Sequence, residues 1–418
     1  MSENQPRQFD AVLGGNTPPP VTGVVLGGIE GVKRRLESEI VDVRVKALSD
    51  SLNYGNEGLD LVIEALQQNN KIIQRHAYKL LRRRQEKQVK QALREYQPWN
   101  LFERLRGYAG YVEHRGVYVD CFANRQVVEY STEIGIEDPV NTAYALHTYY
   151  RNFSIIEEIK NLLQDSQASN LEALIIRAWD VYHSDSSKIV NALVDAKNIL
   201  TNLKAIFIGD VVSGTCEISW IRQSDMSPIL RAYPQLELLQ IRGGKGLKFN
   251  APVRHNNLRA LIVETAGLSR ETVAQICNIK LPELEHLELW FGHQYNGGDC
   301  LVVDGKPILE DLVFPDLNYL GLRNSKFTDE IAEAVVKSPL IETIRLLDLS
   351  LGNLTDKGAE YLLNCPAINE LDILNVSEDR LSEEMIRKLS TLNCQLLAEE
   401  QDQAPDYDDE YRYCAVCE

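Results

Sequence analysis

The chain has 418 residues, of which 44% are apolar and 25% are charged. This balance is typical of soluble globular proteins and excludes a wholly disordered chain, which would be poorer in apolar residues. The formal net charge of −17 disfavours general affinity for nucleic acid or anionic lipid, since both are negatively charged. Residues 1–10 lack a signal pattern and no apolar stretch approaches the roughly 18 residues of a membrane span, so we expect a cytoplasmic protein without membrane contact.

The first 27 residues are rich in glycine and proline, and we predict an extended leader there. The letters LGG occur at 13–15 and at 26–28, on either side of PPP at 18–20. A Gly-Gly pair before a helix can present backbone amides to an anion; alternatively, these glycines permit positive φ in turns. No G-x-x-x-x-G-K-S/T signature occurs, so a nucleotide-binding loop has no support.

Amphipathic helices are predicted between residues 28 and 97, because apolar residues at helical intervals recur 30 positions later. The recurring residues are Leu36, Val43 and Ala47, matched by Leu66, Ile73 and Ala77. The turn signals NYG at 53–55 and QNN at 68–70 separate these helices. A further helix is predicted at 86–96.

Two segments of this region, VDVRVKALSDSL and NKIIQRHAYKLL, resemble the HEAT-repeat pattern of apolar residues, a nearby arginine and an alanine-rich packing face. Residues 9–105 as a whole resemble an N-terminal segment of cyanobacterial HEAT-containing proteins that carry varied C-terminal domains. The resemblance implies an all-α, HEAT-like module over 28–97.

One basic patch lies within this region. It consists of Lys79, Arg82, Arg83, Arg84, Lys87 and Lys90. These residues have the charge to contact phosphate, and the alternative is a solvated helix face whose cations offset a helix C-terminus.

A small α+β connecting module is predicted over 98–170. Residues 116–122 and 126–130 alternate like half-buried strands, and 142–150 adds a third strand. An amphipathic helix follows at 153–164, where it would cover the exposed end of a repeat array.

From residue 171 to about 397 the pattern apolar-x-x-apolar-x-apolar recurs. Its eight matches begin at residues 171, 203, 236, 258, 284, 317, 344 and 368. Helical stretches lie between them, so each unit is a strand followed by a helix. One unit cannot bury its own leucines, and stacking therefore predicts an α/β-repeat horseshoe with parallel strands inside and helices outside.

This array resembles a bacterial leucine-rich-repeat family of ribonuclease-inhibitor type whose function is unassigned. The features that carry the resemblance are FANRQVVEY, DPVNTAYAL, DLSLGNLTDKGAEYLL at 348–363 and the ending DYDDEYRYCAVCE. The resemblance implies no catalytic residues.

Strand alternation sends the x positions to the concave face, which is predicted to be divided. The first four strands present apolar residues, namely Ala173, Ile175, Ala205, Phe207, Leu238, Ala260 and Ile262. We expect a partner or the chain's own N-terminal module to cover this strip, because exposed apolar strips are unfavourable in water.

The later strands present acidic and aromatic residues, which predict a docking site for a protein partner, with a basic partner as the finer hypothesis. The candidate residues are His286, Glu288, Trp290, Tyr319, Arg323, Asp348, Glu370 and Asp372. The insertion at 291–300 adds Phe291, His293 and Tyr295, and is either a binding loop or a long structural turn.

Neither a metal site nor a cofactor is expected. His286, His293, Asp299 and Cys300 do not have the spacing of a ligand motif. The C-x-x-C pair at 414–417 ends the chain without the context of a redox or zinc motif, and we interpret it as a chance pair. The acidic tail at 398–418 is predicted to be mobile or to lie over the basic N-terminal face.

We therefore expect a non-catalytic interaction or adaptor module that binds a macromolecule on its concave face. No nucleophile, hydrolase or metalloprotease signature is present. One alternative is a nucleic-acid-associated protein that uses the basic patch at 79–90. The other is an enzyme without a known motif, or a pigment- or small-molecule-handling HEAT protein. The sequence does not predict the oligomeric state.

Overall fold

The computed structural model describes residues 28–68, 70–81, 84, 86–96, 118–147, 154–181, 183–212, 215–250, 252–402 and 414–416. The chain forms two compact units, Met1–Pro98 and Trp99–Glu418. The described residues contain no helix that is long and apolar enough to cross a membrane.

The first unit is helical. Its helices are α1 (Gly28–Leu36), α2 (Val41–Ser51), α3 (Gly55–Ala65), α4 (Lys71–Leu81) and α5 (Lys87–Glu95). α4 begins and ends 30 residues after α2, which matches the predicted repeat, and Ala47 and Ala77 are both fully buried. α3 begins at Gly55, whose φ of 65° is in the left-handed region that favours glycine. The HEAT assignment of these helices stays a prediction.

The basic patch lies only partly in the described part of the chain. Arg82, Arg83 and the side chain of Lys90 fall outside it. Arg84 forms an ion pair with Glu86 at 2.5 Å, so this arginine is engaged within its own turn.

The second unit is built on one sheet. Its described strands are β1 (Cys121–Phe122), β2 (Arg125–Glu129), β3 (Thr142–Leu146), β4 (Ala173–Ile176), β5 (Ala205–Ile208), β6 (Leu238–Arg242), β7 (Ala260–Glu264), β8 (His286–Gly292), β9 (Tyr319–Ser325), β10 (Leu346–Asp348), β11 (Ile373–Asn375) and β12 (Gln395–Leu397). They lie side by side in chain order. β1 pairs antiparallel with β2, and every later neighbour is parallel.

Helices connect most of the parallel strands, but the described residues contain none between β2 and β3 or between β6 and β7. The connecting helices are α6 (Ile155–Leu163), α7 (Ser187–Asp195), α8 (Ser227–Ala232), α9 (Arg270–Asn278), α10 (Lys306–Leu309), α11 (Thr328–Lys337), α12 (Asp356–Leu363) and α13 (Glu383–Leu389). The leucines at alternate strand positions, such as Leu287 and Leu289, join the helices in one continuous apolar core. The predicted α/β repeat with parallel strands is confirmed. Its stability rests on this core, since each fully buried large aliphatic side chain contributes about 1.5–3 kcal/mol.

The strands predicted for the connecting module belong to this same sheet. Val127 pairs with Ala143, and Tyr144 pairs with Leu174, so β2 and β3 extend the leucine-rich array without a break. The predicted helix at 153–164 is α6, and it packs against β3 and α7. It is therefore an ordinary connecting helix, and the antiparallel β1–β2 pair forms the first edge of the sheet.

The eighth predicted repeat is three residues out of frame. Leu346 pairs with Ile373, so the match to the seventh repeat begins at Leu371 and not at residue 368. Glu370 lies in a short 3-10 helix, Pro366–Glu370, outside the strand. Asp372 precedes β11, where it pairs with Arg345 at 2.8 Å. The prediction that Glu370 and Asp372 lie on the concave strand positions is therefore wrong, because the helix carries apolar residues at a spacing that mimics the strand pattern.

Candidate functional site

The apolar half of the concave face is covered by the chain itself. Ala173, Ile175, Ala205, Phe207, Leu238 and Ala260 form a buried cluster with Phe122 and Ala123. The Phe122 and Phe207 ring centroids lie 5.9 Å apart, and Ile262 is also buried. This strip is thus part of the interior of the second unit and not an open docking face.

The polar half of the concave face is a buried network around Arg323. Arg323 donates from Nη1 to Glu288 Oε1 at 3.0 Å and from Nε to Ser350 Oγ at 2.9 Å. Its Nε also lies 3.4 Å from Asp348 Oδ1. Trp290 Nε1 donates to Glu288 Oε1 at 2.8 Å. We call these five residues, together with His286 and Tyr319, the Arg323 network.

Tyr319 links the two carboxylates of this network. Its hydroxyl lies 3.2 Å from Glu288 Oε2 and 3.0 Å from Asp348 Oδ2, and it donates its single proton to one of them at a time. The His286 ring stacks on the Tyr319 ring with centroids 3.8 Å apart. The predicted site residues at 286, 288, 290, 319, 323 and 348 are therefore brought together, but each is at most 2% exposed.

The network holds one permanent cation between two carboxylates. Burial alone would lower the pKa of Arg323, but Asp348 and Glu288 outweigh burial and hold that pKa above its ordinary value. The arginine stays charged, and its charge compensates carboxylates that would otherwise be isolated in a dry interior. The network is consequently a structural element of the sheet in this conformation.

The carboxyl of Asp379 is also buried, and it lies near the Asp348 carboxylate of the network. Asp379 is fully buried, and burial raises its pKa well above the usual range, with Asp348 adding to the effect. It accepts a hydrogen bond from the backbone N of Leu354 at 3.0 Å, which acts in the opposite direction. At pH values between the unfolded aspartate pKa of about 3.9 and the raised folded pKa, the folded protein therefore binds a proton at Asp379 that the unfolded chain has released.

This difference predicts a pH-dependent stability. A carboxyl whose folded pKa is raised stabilises the fold fully below the unfolded pKa, and this contribution is lost as the pH rises through the folded pKa. We expect Asp379→Asn to gain stability relative to wild type between pH 5 and pH 8, by about 1.4 kcal/mol for each pH unit of this interval that lies below the folded pKa. Urea unfolding at both pH values measures the difference. A gap between the two proteins that does not grow with pH would contradict the assignment.

The predicted loop after β8 divides into buried and exposed residues. Phe291 is buried and packs on Phe327, with centroids 5.3 Å apart. Gly292 has a φ of 64°, and a Cβ there would lie 1.9 Å from Ala266, so only glycine fits. His293 is buried and stacks on Tyr295 at 4.7 Å. Tyr295 itself is 69% exposed, followed by Leu301 at 54% and Val303 at 53%.

Neighbouring loop residues have structural partners. Asp299 accepts a hydrogen bond from Arg270 N, and the buried Cys300 donates from Sγ to Leu268 O. Burial raises the pKa of the Cys300 thiol to about 12, so it is not a reactive thiolate. Among the described residues, no group of three or more His, Cys, Asp or Glu side chains could hold a metal ion.

Residues 414–416 contact the sheet of the second unit. Asn324 Oδ1 accepts from Val416 N at 3.0 Å, and Asn324 Nδ2 donates to Val416 O at 2.7 Å. Ala415 N donates to Leu351 O at 3.0 Å. Val416 is 1% exposed. Sequence reasoning missed this contact, because nothing in the tail or near Asn324 signals a pair 92 residues apart.

We call the site that receives Val416 the rim pocket. It is formed by Ile218, Ala266, Trp290, Asn324 and Leu351. Trp290 and Asn324 lie in the last three residues of β8 and β9, and Ile218, Ala266 and Leu351 follow β5, β7 and β10, so the pocket lies at the carboxyl ends of the parallel strands, which we call the carboxyl edge of the sheet. Trp290 belongs to both the rim pocket and the Arg323 network.

A parallel sheet of short strands that carry L-x-x-L-x-L, each followed by a returning helix, defines the leucine-rich-repeat class of protein. The second unit of this chain has that fold.

Similarity to known proteins agrees with the fold. A structural genomics protein from Bacteroides fragilis superposes with a TM-score of 0.56 and 28% identity, covering 63% of this chain and 73% of that chain. An internalin from Listeria monocytogenes covers 63% of this chain and 62% of that chain at 15% identity, with a TM-score of 0.34 that is too low to support an argument. No family model and no curated protein matches the sequence.

Proposed function

We propose that the second unit is a non-catalytic protein-interaction module that binds a partner along the carboxyl edge of its sheet. The observation that carries this proposal is the ordered segment between β8 and α10 (residues 293–305), which from here on is called the insertion. It exposes Tyr295, Leu301 and Val303 and follows the fixed end of β8 at Phe291 and Gly292. Tyrosine is enriched among interface hot spots, and loops held on a rigid scaffold commonly carry binding residues.

This proposal modifies the predicted docking site. The concave residues of the Arg323 network are buried in this conformation, so the first contact with a partner is assigned to the insertion and the adjoining edge. A basic partner remains the finer hypothesis and is supported by the net charge of −17, which would steer a cation toward the protein. Affinity for such a partner should fall as salt rises.

The partner is expected in the cytoplasm. Among the described residues, Cys277, Cys300, Cys365 and Cys394 carry free thiols, as is usual in a reducing compartment. The nucleic-acid alternative gains no support from the described part of the basic patch, in which Arg84 is paired with Glu86.

Replacing the three exposed side chains of the insertion tests the proposal. We expect Tyr295→Ser, Leu301→Ser and Val303→Ser in one chain to weaken partner binding at least about tenfold, since hot-spot truncations commonly cost this much. Proteins retained on the immobilised full chain are quantified by mass spectrometry, and affinity is then measured with the purified partner.

The matched control replaces three exposed aliphatic residues elsewhere in the same unit. Ile134→Ser, Val140→Ser and Ile199→Ser remove side chains that are 70%, 40% and 41% exposed. This control should bind like the wild type. Equal losses in the two triple variants, or no loss in the first, would refute the assignment of the binding surface.

A further inference from the structure

We propose that the rim pocket is a peptide-binding site, that residues 414–416 of the chain's own tail occupy it in cis, and that its external ligand is a short peptide presenting a similar Ala-Val pair. The inference rests on the proposed interaction function, because it names one class of partner for the same edge of the sheet.

Recognition of the tail backbone is the first argument. The single Asn324 amide both accepts from Val416 N and donates to Val416 O, and Leu351 O accepts from the preceding Ala415 N. Three main-chain groups of the tail, namely the N–H groups of Ala415 and Val416 and the Val416 carbonyl, are therefore satisfied by Asn324 and Leu351. Hydrogen bonds to main-chain groups do not depend on the side chains of the bound peptide.

The pocket for one side chain is the second argument. Val416 forms an apolar cluster with Ile218, Ala266, Trp290 and Leu351, separate from the main core. These four residues come from four different repeats, so the pocket exists only when the repeats are stacked. Its size and apolar lining select a small aliphatic side chain, while the main-chain bonds set the direction of the peptide.

The third argument is that Asn324 and Leu351, the two residues that bind the tail backbone, are positioned by hydrogen bonds within the second unit's own repeats. Asn324 Nδ2 also lies 3.2 Å from Thr265 O, and Leu351 N donates to Ser377 O at 3.0 Å. Asn324 and Leu351 adopt φ values of 50° and 66°. A left-handed φ is uncommon for leucine, and such strain is concentrated at binding sites whose surroundings enforce the geometry.

Intramolecular occupancy has a simple consequence for affinity. A tethered ligand has a high effective concentration, so an external peptide competes poorly while the tail is in place. Weakening the tail should therefore raise the affinity for a peptide added in trans, although no contact of the receiving residues is changed.

The test uses the full chain and a fluorescein-labelled synthetic peptide of residues 403–418, with binding followed by fluorescence anisotropy. Val416→Asp in the protein places a charge in the apolar cluster and evicts the tail. We expect this variant to bind the peptide at least about tenfold more tightly than wild type. The labelled peptide that itself carries Val416→Asp, and a shuffled peptide of equal charge, should not bind.

A second substitution identifies the receiving residue. Asn324→Asp, added to Val416→Asp, keeps the size and the left-handed propensity but replaces the amide donor with a carboxylate that repels Val416 O. It should weaken peptide binding at least about tenfold. The matched control, Asn278→Asp at the end of α9, should have no effect.

Several results would overturn the proposal. One is a folded Val416→Asp chain that binds the peptide no better than wild type. Another is a Val416→Asp chain and a chain ending at residue 402 that both fail to fold, since the tail would then be part of the core. A third is a concentration-dependent dimer that forms through the tail, which would assign the pocket to a second copy. These outcomes are separate from those of the proposed interaction surface, whose test uses side chains of the insertion and a protein partner.

Discussion

Arg323→Met should lower the free energy of unfolding by about 3–5 kcal/mol, because it leaves two buried carboxylates without their cation. Glu288 and Asp348 are 1% and 0% exposed, so water does not replace the lost partner. Methionine fills a similar volume, which separates the loss of charge from the loss of packing. Urea unfolding followed by far-ultraviolet circular dichroism measures the effect.

The control for Arg323→Met also removes the two carboxylate charges that the arginine compensates. Adding Glu288→Gln and Asp348→Asn to Arg323→Met should recover a large part of the lost stability, since no buried ion then remains unpaired. A single Arg323→Met variant that is as stable as wild type would show that the network is not buried in solution.

Arg259→Met should destabilise the protein by about 3 kcal/mol, the second largest effect that we expect. Arg259 donates from Nη2 to Glu285 Oε2 at 2.5 Å, and the side chains of the pair are 6% and 4% exposed. Removing the arginine leaves Glu285 buried without this partner. Thermal and urea unfolding of the single variant measure the loss.

The double variant Arg259→Met, Glu285→Met serves as the matched control, and it should be markedly more stable than Arg259→Met alone. An exposed pair such as Lys337–Glu333, whose side chains are 67% and 38% exposed, should contribute far less when it is broken. Equal effects at the buried and the exposed pair would contradict the role given to burial.

The Arg259 pair is part of a row of charges that runs across the sheet. The residue directly before each of β4 to β8 is charged, with alternating sign: Glu172, Lys204, Glu237, Arg259 and Glu285. Lys204 pairs with Glu172, and Arg259 lies near both Glu237 and Glu285. Each repeat from β4 to β8 contributes one residue to the row, so the row favours one stacking order of repeats whose leucines are alike.

The strand periodicity predicted from the sequence is confirmed for side chains whose placement depends only on nearby residues in the chain. Leucines such as Leu287 and Leu289 follow strand alternation, and their spacing of two residues is enough to assign both to the same face of the strand. The same reasoning misplaced Glu370 and Asp372, since residues 368–373 and the stretch that begins at Leu371 both satisfy an apolar spacing. The cross-strand pairing of Leu346 with Ile373 decides between them, and that pairing is a tertiary contact.

The predicted docking residues show the same limit. The sequence placed Glu288, Trp290 and Asp348 on one face, and the structure brings them together, but as a buried network around Arg323. Alternation tells which face a side chain occupies and does not tell what covers that face. Segment 119–123 packs on the apolar strip and residues 414–416 pack at the rim pocket, and neither segment carries a sequence signal for doing so.

The sequence by itself therefore determined the class of fold, the strand-helix repeat and the leucine core, because spacing along the chain is enough to sort side chains between two faces of a strand. Only the tertiary structure decided the register of the last repeat, the continuity of β1–β3 with the array, the closure of the Arg323 network and the docking of Val416 on Asn324. Those features depend on contacts between residues tens of positions apart, which form only after the repeats have stacked.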